Sequence, residues 1–285
     1  MNQINIIGID LGGTNVRGGI VSGGHLAKIV SQRIPSSGTV EEVLKVIYEL
    51  IDPLVDKDIR AIGIGVPSVV DIEYGIVYDV QNIPSWKKVE LKKLMEERYH
   101  LPIFVNNDAN CFALGEKYFG KGKGFRSMIG LTIGTGLGAG IIINDKLYAG
   151  VNCGAGEFGN VEYLDQYVEY YASGQFFENC YQTNGELVYK KALYGDPLSI
   201  MIFEELGTHL GNAIRMILYT YCPELIVLGG SISKAYPLFE KKMWERIRTY
   251  VYSNTLEQFH LEVSDLENPG ILGAASLYYD EQAGR

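Results

Sequence analysis

The chain of 285 residues has no basic excess. Its 25 Lys and Arg stand against 34 Asp and Glu, a net charge of −9. Broad nucleic-acid binding needs a basic face, so that class is set aside. A small anionic ligand is not, because local main-chain amides can hold one. Cysteine is sparse too. Cys111, Cys153, Cys180 and Cys222 form no C-x-x-C pair and no metal knuckle. The start MNQINIIGID lacks a basic n-region, a long apolar core and a cleavage site. No leader is read there, and reduced thiols in a cytoplasm are expected. His25, His100, His209 and His260 have neither metal nor triad spacing and receive no role. A long charge-free run is present, Ser127 to Asn144, but it contains five glycines flanked by strand-like residues. A buried β-turn-β is expected there rather than a membrane span.

What remains is an ordinary globular composition, 47% apolar and 21% charged. The length suits two domains or one large one. The most informative stretch is SMIGLTIGTGLGAG, with Gly134, Gly136, Gly138 and Gly140 on alternate positions and Thr135 among them. A turn of bare glycines between strands leaves N–H groups uncovered and can close around an anion, because only glycine permits close approach and positive φ at low cost. The same chemistry occurs at Asp10-Leu11-Gly12-Gly13-Thr14. A shift of about 121 residues aligns Gly13-Thr14 with Gly134-Thr135 and Gly19-Ile20 with Gly140-Ile141. A duplicated domain with one phosphate loop per half is suggested; chance matching in glycine-rich text is the rival.

Along the chain, strands are expected at Ile4–Ile9, Thr14–Val21, Leu26–Ile34 and Ala61–Val66. Thr39 and Glu42 form a capping box ahead of an apolar helical stripe. Val69–Val80 looks like a hairpin with Glu73-Tyr74-Gly75 at its tip. Ser85 is expected to cap a helix from Lys87 to Tyr99. A strand from Pro102 runs into Asn106-Asn107-Asp108-Ala109-Asn110, and a helix follows. Later helices are expected at about Asp165–Tyr181, Glu186–Leu193, Pro197–Tyr221, Pro237–Val251 and Leu272–Tyr279. This order implies α/β architecture, a mixed sheet with helices on its faces. The second lobe is expected to begin near Asn107.

Two decoys are rejected. The glycines at 134–138 are not followed by the helix that a dinucleotide fingerprint requires. Gly115 to Gly122 lacks the Ser/Thr of a P-loop. Asp10 ends a strand beside a glycine turn, where it either hydrogen-bonds turn amides or orients a hydrated Mg²⁺. Asp108 is either an N-cap or a general base at the sheet's C-terminal edge, with Asn107 beside it to hold a hydroxyl. Glu157 lies in a glycine-lined loop and is available to accept from a diol. Glu169 reads as a solvated helical face.

Together these motifs resemble the ROK family of sugar kinases, within the actin-like, sugar-kinase and Hsp70 ATPase superfamily. The matching pieces are DLGGT at 10–14, GVPSVVD at 65–71, NIPSW at 82–86, NNDAN at 106–110 and ALGE at 113–116. GTGLGAGIIINDKLYAG at 134–150, GAGE at 154–157, PELIVLGGSIS at 223–233 and GILGAA at 270–275 complete the set. The resemblance implies a two-lobed ribonuclease H-like (actin-like ATPase) fold with duplicated mixed-sheet domains and an interlobe cleft. Residues 1–106 plus 270–285 would form the small lobe and 107–269 the large one.

The resemblance also implies an ATP- and Mg²⁺-dependent kinase of a hexose or N-acetylhexosamine, acting at the 6-hydroxyl. Asp108 would be the base. Ser68, Asn82, Asn107, Glu157, Asn160 and Glu169 would face the sugar, Glu169 because YVEYYASG at 167–174 is similar to the family's glutamate segment. Gly12, Gly13, Thr14, Gly134, Thr135, Gly136 and Gly138 would wrap the phosphates. Gly229 and Gly230 would border adenosine, and Asp10 would hold Mg²⁺ through water. A cytoplasmic homodimer, without nucleic-acid or membrane partners, is implied. The chain departs from the family at Asn160, where most members carry His followed by a Cys-rich zinc motif. No structural zinc is expected, and the sugar contact is changed, because an amide does not titrate. The alternatives are a sugar-binding protein with weak or lost catalysis and a sugar-responsive regulator. The regulator would need a DNA-binding module, and the chain enters its first phosphate strand by residue 4.

Overall fold

The computed structural model describes residues 4–283. The first three residues of the segment read for a leader therefore lie outside the described part. The chain divides into two compact units. One comprises residues 1–126, 140–155 and 265–285; the other comprises 127–139 and 156–264.

The first unit opens with β1 (Asn5–Leu11), β2 (Asn15–Ser22) and β3 (His25–Arg33), an antiparallel meander. Helix α1 (Val40–Ile51) follows. Its capping box is formed as expected: Glu42 N–H donates to Thr39 Oγ1 at 3.3 Å, and Thr39 N–H to Glu42 Oε2 at 2.8 Å. Then come β4 (Ile59–Val66), β5 (Val69–Asp71), β6 (Ile76–Tyr78), β7 (Lys88–Val89), α2 (Leu91–Tyr99), β8 (Ile103–Asn107) and α3 (Asp108–Tyr118). The main sheet has the order β3-β2-β1-β4-β8, with β1, β4 and β8 parallel. The hairpin at Val69–Val80 is present as β5–β6. Ser85 does not cap a helix. The chain makes β7 first, and α2 starts after Glu90 without a side-chain cap.

The second unit contains β9 (Met128–Ile133) and the start of β10 (Leu137–Ile143), a strand that passes into the first unit at Gly140. There it pairs with β11 (Lys146–Leu147). The helix expected at about Asp165–Tyr181 is broken, and residues 162–181 form four pieces. They are the hairpin β12 (Glu162–Tyr163) and β13 (Gln166–Tyr167), then α4 (Val168–Ala172) and α5 (Gln175–Tyr181). The break at Ser173-Gly174 has a physical cause: Gly174 N–H donates to Gly134 O at 2.7 Å, and Ser173 Oγ to Thr135 O at 3.0 Å. These bonds hold the backbone out of helical register. Then come α6 (Gly185–Leu193), α7 (Pro197–Thr220), β14 (Leu225–Gly229), α8 (Tyr236–Ile247), α9 (Ser253–Leu256) and β15 (His260–Val263). Helix α10 (Pro269–Gln282) returns to the first unit.

The second sheet has the order β11-β10-β9-β14-β15, with β9, β14 and β15 parallel. It repeats the order of the first sheet strand for strand, as a duplicated fold requires. The first core is built from Ile7, Ile9, Val43, Ile47, Ile62, Ile64 and their neighbours, all buried. Helix α10 lies unusually close to its sheet. A Cβ on Gly63 would fall 1.8 Å from Ala274 O, and one on Gly8 would fall 2.0 Å from Ile271 O. No helix among the described residues is long and apolar enough to cross a membrane.

Candidate functional site

In the first unit, strand register decides where the acids stand. Asp10 lies opposite Gly65 on β4, and Gly65 lies opposite Asn106 on β8. Asp108 opens α3 two residues further on. At ordinary strand spacing the β1 and β8 backbones are about 10 Å apart. Gly65 separates them with no side chain: a Cβ there would reach 3.1 Å from Cys111 Sγ and 3.8 Å from Asp108 Cα. The two carboxylates therefore sit at the same C-terminal edge of one sheet, where α/β sites form.

Asp10 is half-buried beside the first turn of α10. A Cβ on Gly270 would fall 2.5 Å from its carboxylate. Burial pushes the Asp10 carboxyl above the usual carboxylate range, and Arg17, its partner on β2, pulls it part of the way back. Arg17 also donates to Asn268 Oδ1. Among the described residues no turn amide donates to Asp10; Gly12 N–H goes to Asn15 O at 2.9 Å instead. Of the two readings of Asp10, hydrogen bonding to turn amides is thus not realised.

Neither Gly12 nor Gly13 has positive φ. The turn does not use the positive φ that glycine permits. Close approach requires glycine here: a Cβ on Gly13 would lie 2.5 Å from Asn82 Cβ and 2.7 Å from its Nδ2. The structure thus brings together two residues assigned to different ligands. Asn82 is exposed, while Ile83 and Trp86 of the same loop are fully buried and fix it. Thr14 is exposed at the turn's end.

Asp108 is not the N-cap of α3. Asn107 holds that position, its Oδ1 accepting from Ala109 N–H at 2.9 Å, a bond worth about 1 kcal/mol. Asn107 Nδ2 donates to Ser68 O at 3.2 Å, and Ser68 Oγ donates to Tyr78 O. Both side chains therefore brace the loops around Asp108. Asp108 itself is exposed, with Ala109 N–H donating to its Oδ1 at 2.8 Å. Below it, Asn106 is 4% exposed. Its Oδ1 accepts from Asn107 N–H at 2.8 Å, Asn110 Nδ2 at 2.9 Å and Cys153 Sγ at 3.2 Å. This hub was not legible as a site residue, because an Asn at a strand end carries no signal of burial.

In the second unit the turn between β9 and β10 is Gly134-Thr135-Gly136, closed by Gly134 N–H to Gly136 O at 3.0 Å. Gly138 lies inside β10 rather than in the turn, its carbonyl accepting from Thr132 Oγ1 at 3.2 Å. None of these glycines has positive φ. Here too the need is space: a Cβ on Gly136 would fall 2.5 Å from Glu169 Oε2. Gly229 ends β14 opposite Thr132, and Gly230, at φ +85°, packs against the Ile133 carbonyl. Around Gly134 and Thr135 opens a cavity of about 630 Å³. Phe177, Tyr189 and Phe203 line it together with Gln175, Ser231 and Lys234. Only the two turn residues among these were anticipated, because the rings come from three successive helices whose packing on the turn no local pattern displays.

Glu157 and Asn160 are exposed and joined, Asn160 Nδ2 donating to Glu157 Oε2 at 2.8 Å. Glu169 is not on a solvated face. It is half-buried, and its carboxylate accepts from Leu137 N–H at 2.7 Å and Gln175 Nε2 at 2.8 Å.

Comparison with known proteins extends this picture. The family model described as ROK family matches residues 6–281. A glucokinase of Thermotoga maritima is 30% identical, with the whole of both chains covered. A xylose repressor of Bacillus subtilis is also 30% identical, over 85% of this chain and 67% of the repressor. The crystal structure of a ROK family glucokinase from Streptomyces griseus, in complex with glucose and AMPPNP, has a TM-score of 0.80 at 28% identity. It covers 96% of this chain and 98% of that one. The actin-like fold, the repeated sheet order and the match over nearly every residue agree, and the chain belongs to the ROK family.

Proposed function

We propose that the chain is an ATP- and Mg²⁺-dependent hexose kinase, with transfer to the sugar 6-hydroxyl. The observation that carries this reading is the row Asp10–Gly65–Asn106 with Asp108 at its end. An exposed carboxylate at a sheet's C-terminal edge suits a general base. A second one, half-buried and without amide donors, suits a metal-orienting role. Relatives that are glucokinases support the activity, and the AMPPNP-bound relative supports ATP as donor.

The residues fit the implied groups. Asp10 is an acceptor-only side chain whose burial disfavours its charge, so a nearby cation would relieve it. The aromatic-lined cavity beside Gly134 and Thr135 has the size and lining of a nucleotide-base pocket. Bound Mg²⁺ would neutralise charge on the phosphates. The chain's own residues orient and move a proton. Asp108 takes the proton from the sugar hydroxyl as that oxygen bonds to the γ-phosphorus and the bond to the β–γ bridging oxygen breaks, releasing ADP. In the first unit Asn82 and the braced Asn107 are candidates for sugar contacts and the turn Gly12–Thr14 for phosphate contacts. In the second unit the corresponding candidates are the Glu157–Asn160 pair and the turn Gly134–Gly136. Catalysis of this kind is positioning and charge stabilisation.

An assay of ADP release over a panel of hexoses and N-acetylhexosamines tests the reading. Turnover with one class, lost in Asp108→Ala while sugar binding survives, supports it. Sugar binding without ADP release in the unaltered protein would favour the second reading, a sugar-responsive regulator, which the relationship to a xylose repressor keeps open.

A further inference from the structure

The segment from Glu157 to Glu169 carries three of the residues assigned to the sugar. Phe158 packs on Tyr221, Val168 is buried and Glu169 is bonded to Leu137 N–H, but little apolar burial holds the middle. Glu157, Asn160, Val161, Glu162, Leu164, Asp165 and Gln166 are all exposed. The hairpin β12–β13 in its middle spans two residues on each side. Something else must fix it, and polar bonds to α7 do so. Arg246 Nε on α8 donates to Asn212 Oδ1 on α7 at 2.8 Å, and Asn212 Nδ2 donates to Tyr163 Oη on β12 at 2.6 Å. Tyr163 Oη lies 3.1 Å from His209 Nδ1 on α7. Asn212 takes one lone pair of the Tyr163 hydroxyl, whose proton has His209 Nδ1 as an acceptor in reach when that nitrogen is unprotonated. In that tautomer the chain Arg246→Asn212→Tyr163→His209 runs in one direction, and it is this form that the clamp uses. Rings close the sides: Tyr163 and Tyr171 lie 5.7 and 5.0 Å from the His209 ring, and Phe176 lies 5.7 Å from it.

We propose that His209, acting through Tyr163, is a positioning residue that clamps the sugar-facing segment Glu157–Glu169 onto α7, and that its protonation loosens the clamp. The part concerning sugar rests on the kinase reading above; the clamp itself does not.

Every group facing the imidazole bears on its charge. Glu205, one turn back on α7, places Oε1 3.7 Å from Nε2 and favours the charged ring. Tyr181 on α5 donates to Glu205, and Tyr171 on α4 donates to Asp165. Cys180 on α5 feels Glu205 and Asp165, and Arg246 acts through Asn212. Burial prevails and lowers the His209 pKa, with Glu205 opposing. A lowered pKa means the neutral ring is the folded one. Its contribution is full above histidine's ordinary range and is lost as pH falls through the lowered value.

The test is amide hydrogen exchange over residues 157–171, with α1 as internal control, at about pH 7.5 and about pH 5. Two variants are compared with the unaltered protein. Tyr163→Phe keeps the ring and deletes the donor. His209→Asn keeps an acceptor that does not titrate. Exchange in Tyr163→Phe is expected to rise about fivefold at the higher pH, in this segment alone. Relative to α1, which cancels the fall of the intrinsic exchange rate with pH, the unaltered protein should show the same rise on acidification, and His209→Asn should not. In steady-state assays Tyr163→Phe should raise the sugar KM with kcat and the ATP KM nearly unchanged, and His209→Asn should leave the sugar KM near that of the unaltered protein. Unchanged exchange in Tyr163→Phe, or an acid-induced rise that persists in His209→Asn, overturns the clamp. If no sugar is turned over at all, the kinase reading fails and the exchange result still decides the clamp.

Discussion

Glu169 Oε2 accepts a hydrogen bond from the main-chain N–H of Leu137 at 2.7 Å, directly behind Gly136. The glutamate assigned to the sugar and the glycine turn assigned to the phosphates are therefore one mechanical piece within the second unit. Gly174 and Ser173 tie the same turn to the start of α5. The acid and the turn are thus joined by hydrogen bonds rather than by loose contact.

The two glycines of that turn are expected to respond differently to alanine. A Cβ on Gly134 meets nothing nearer than Ser231 Oγ at 3.9 Å, whereas one on Gly136 meets Glu169 Oε2 at 2.5 Å. Gly134→Ala should leave thermal stability unchanged and raise the KM for ATP, because only an approaching phosphate would feel the methyl group. Gly136→Ala should lower Tm as well and raise the sugar KM through Glu169. Calorimetry and initial rates separate the two, and equal effects would refute the distinction.

Asp108→Asn should lower kcat by about 10²- to 10⁴-fold, the range of a lost general base. The sugar KM and Tm should hardly move, since Asp108 is exposed and Asn107 rather than Asp108 caps α3. By contrast, Asn107→Ala should destabilise the fold by about 1 kcal/mol. Denaturant titration of both variants reads this out, and a larger loss at Asp108 would reverse the assignment.

Asp10 carries a trade between stability and activity. Its pKa is raised by burial, so the fold favours the protonated form. The stability it contributes is complete below the ordinary carboxylate range and is lost as pH rises through the raised value. At neutral pH the charged group is therefore a cost. Asp10→Asn should raise Tm by ~2 °C while cutting turnover and raising the Mg²⁺ concentration needed for half-maximal rate. Added Mg²⁺ should stabilise the unaltered protein and not the variant. Scanning fluorimetry with and without Mg²⁺ checks both.

Metal analysis of the purified protein should find less than stoichiometric zinc, and activity lost on chelation should return with Mg²⁺ alone. Zinc at one per chain would contradict the reading of the segment Asn160 to Gln166, which holds no cysteine.

Much of the fold was legible. The capping box at Thr39 and Glu42, the hairpin at Val69–Val80 and the strand-turn-strand form of both glycine runs follow from local chemistry, and local chemistry is what a sequence displays. The roles of Ser85 and the helix expected at Asp165–Tyr181 were misread for the converse reason. Ser85 sits beside Trp86, whose burial draws the chain into β7 before a helix can start. The long helix is interrupted because Ser173 and Gly174 bond to a turn almost 40 positions earlier.

The amino-acid order by itself determined the family and which carboxylates were worth weighing, and it suggested the duplication that the two sheet orders display, because glycine turns and strand-end acids are written in consecutive residues. Only the tertiary structure decided that Asn107 rather than Asp108 caps α3, that Glu169 is bound behind the turn, and that three rings from three helices make one cavity. It also brought His209, which has no motif around it, against Tyr163. Glu169 on Leu137 and Tyr163 against His209 join groups 32 and 46 positions apart, while the cap depends on where β8 ends and the cavity on how three successive helices pack; sequence spacing fixes none of these.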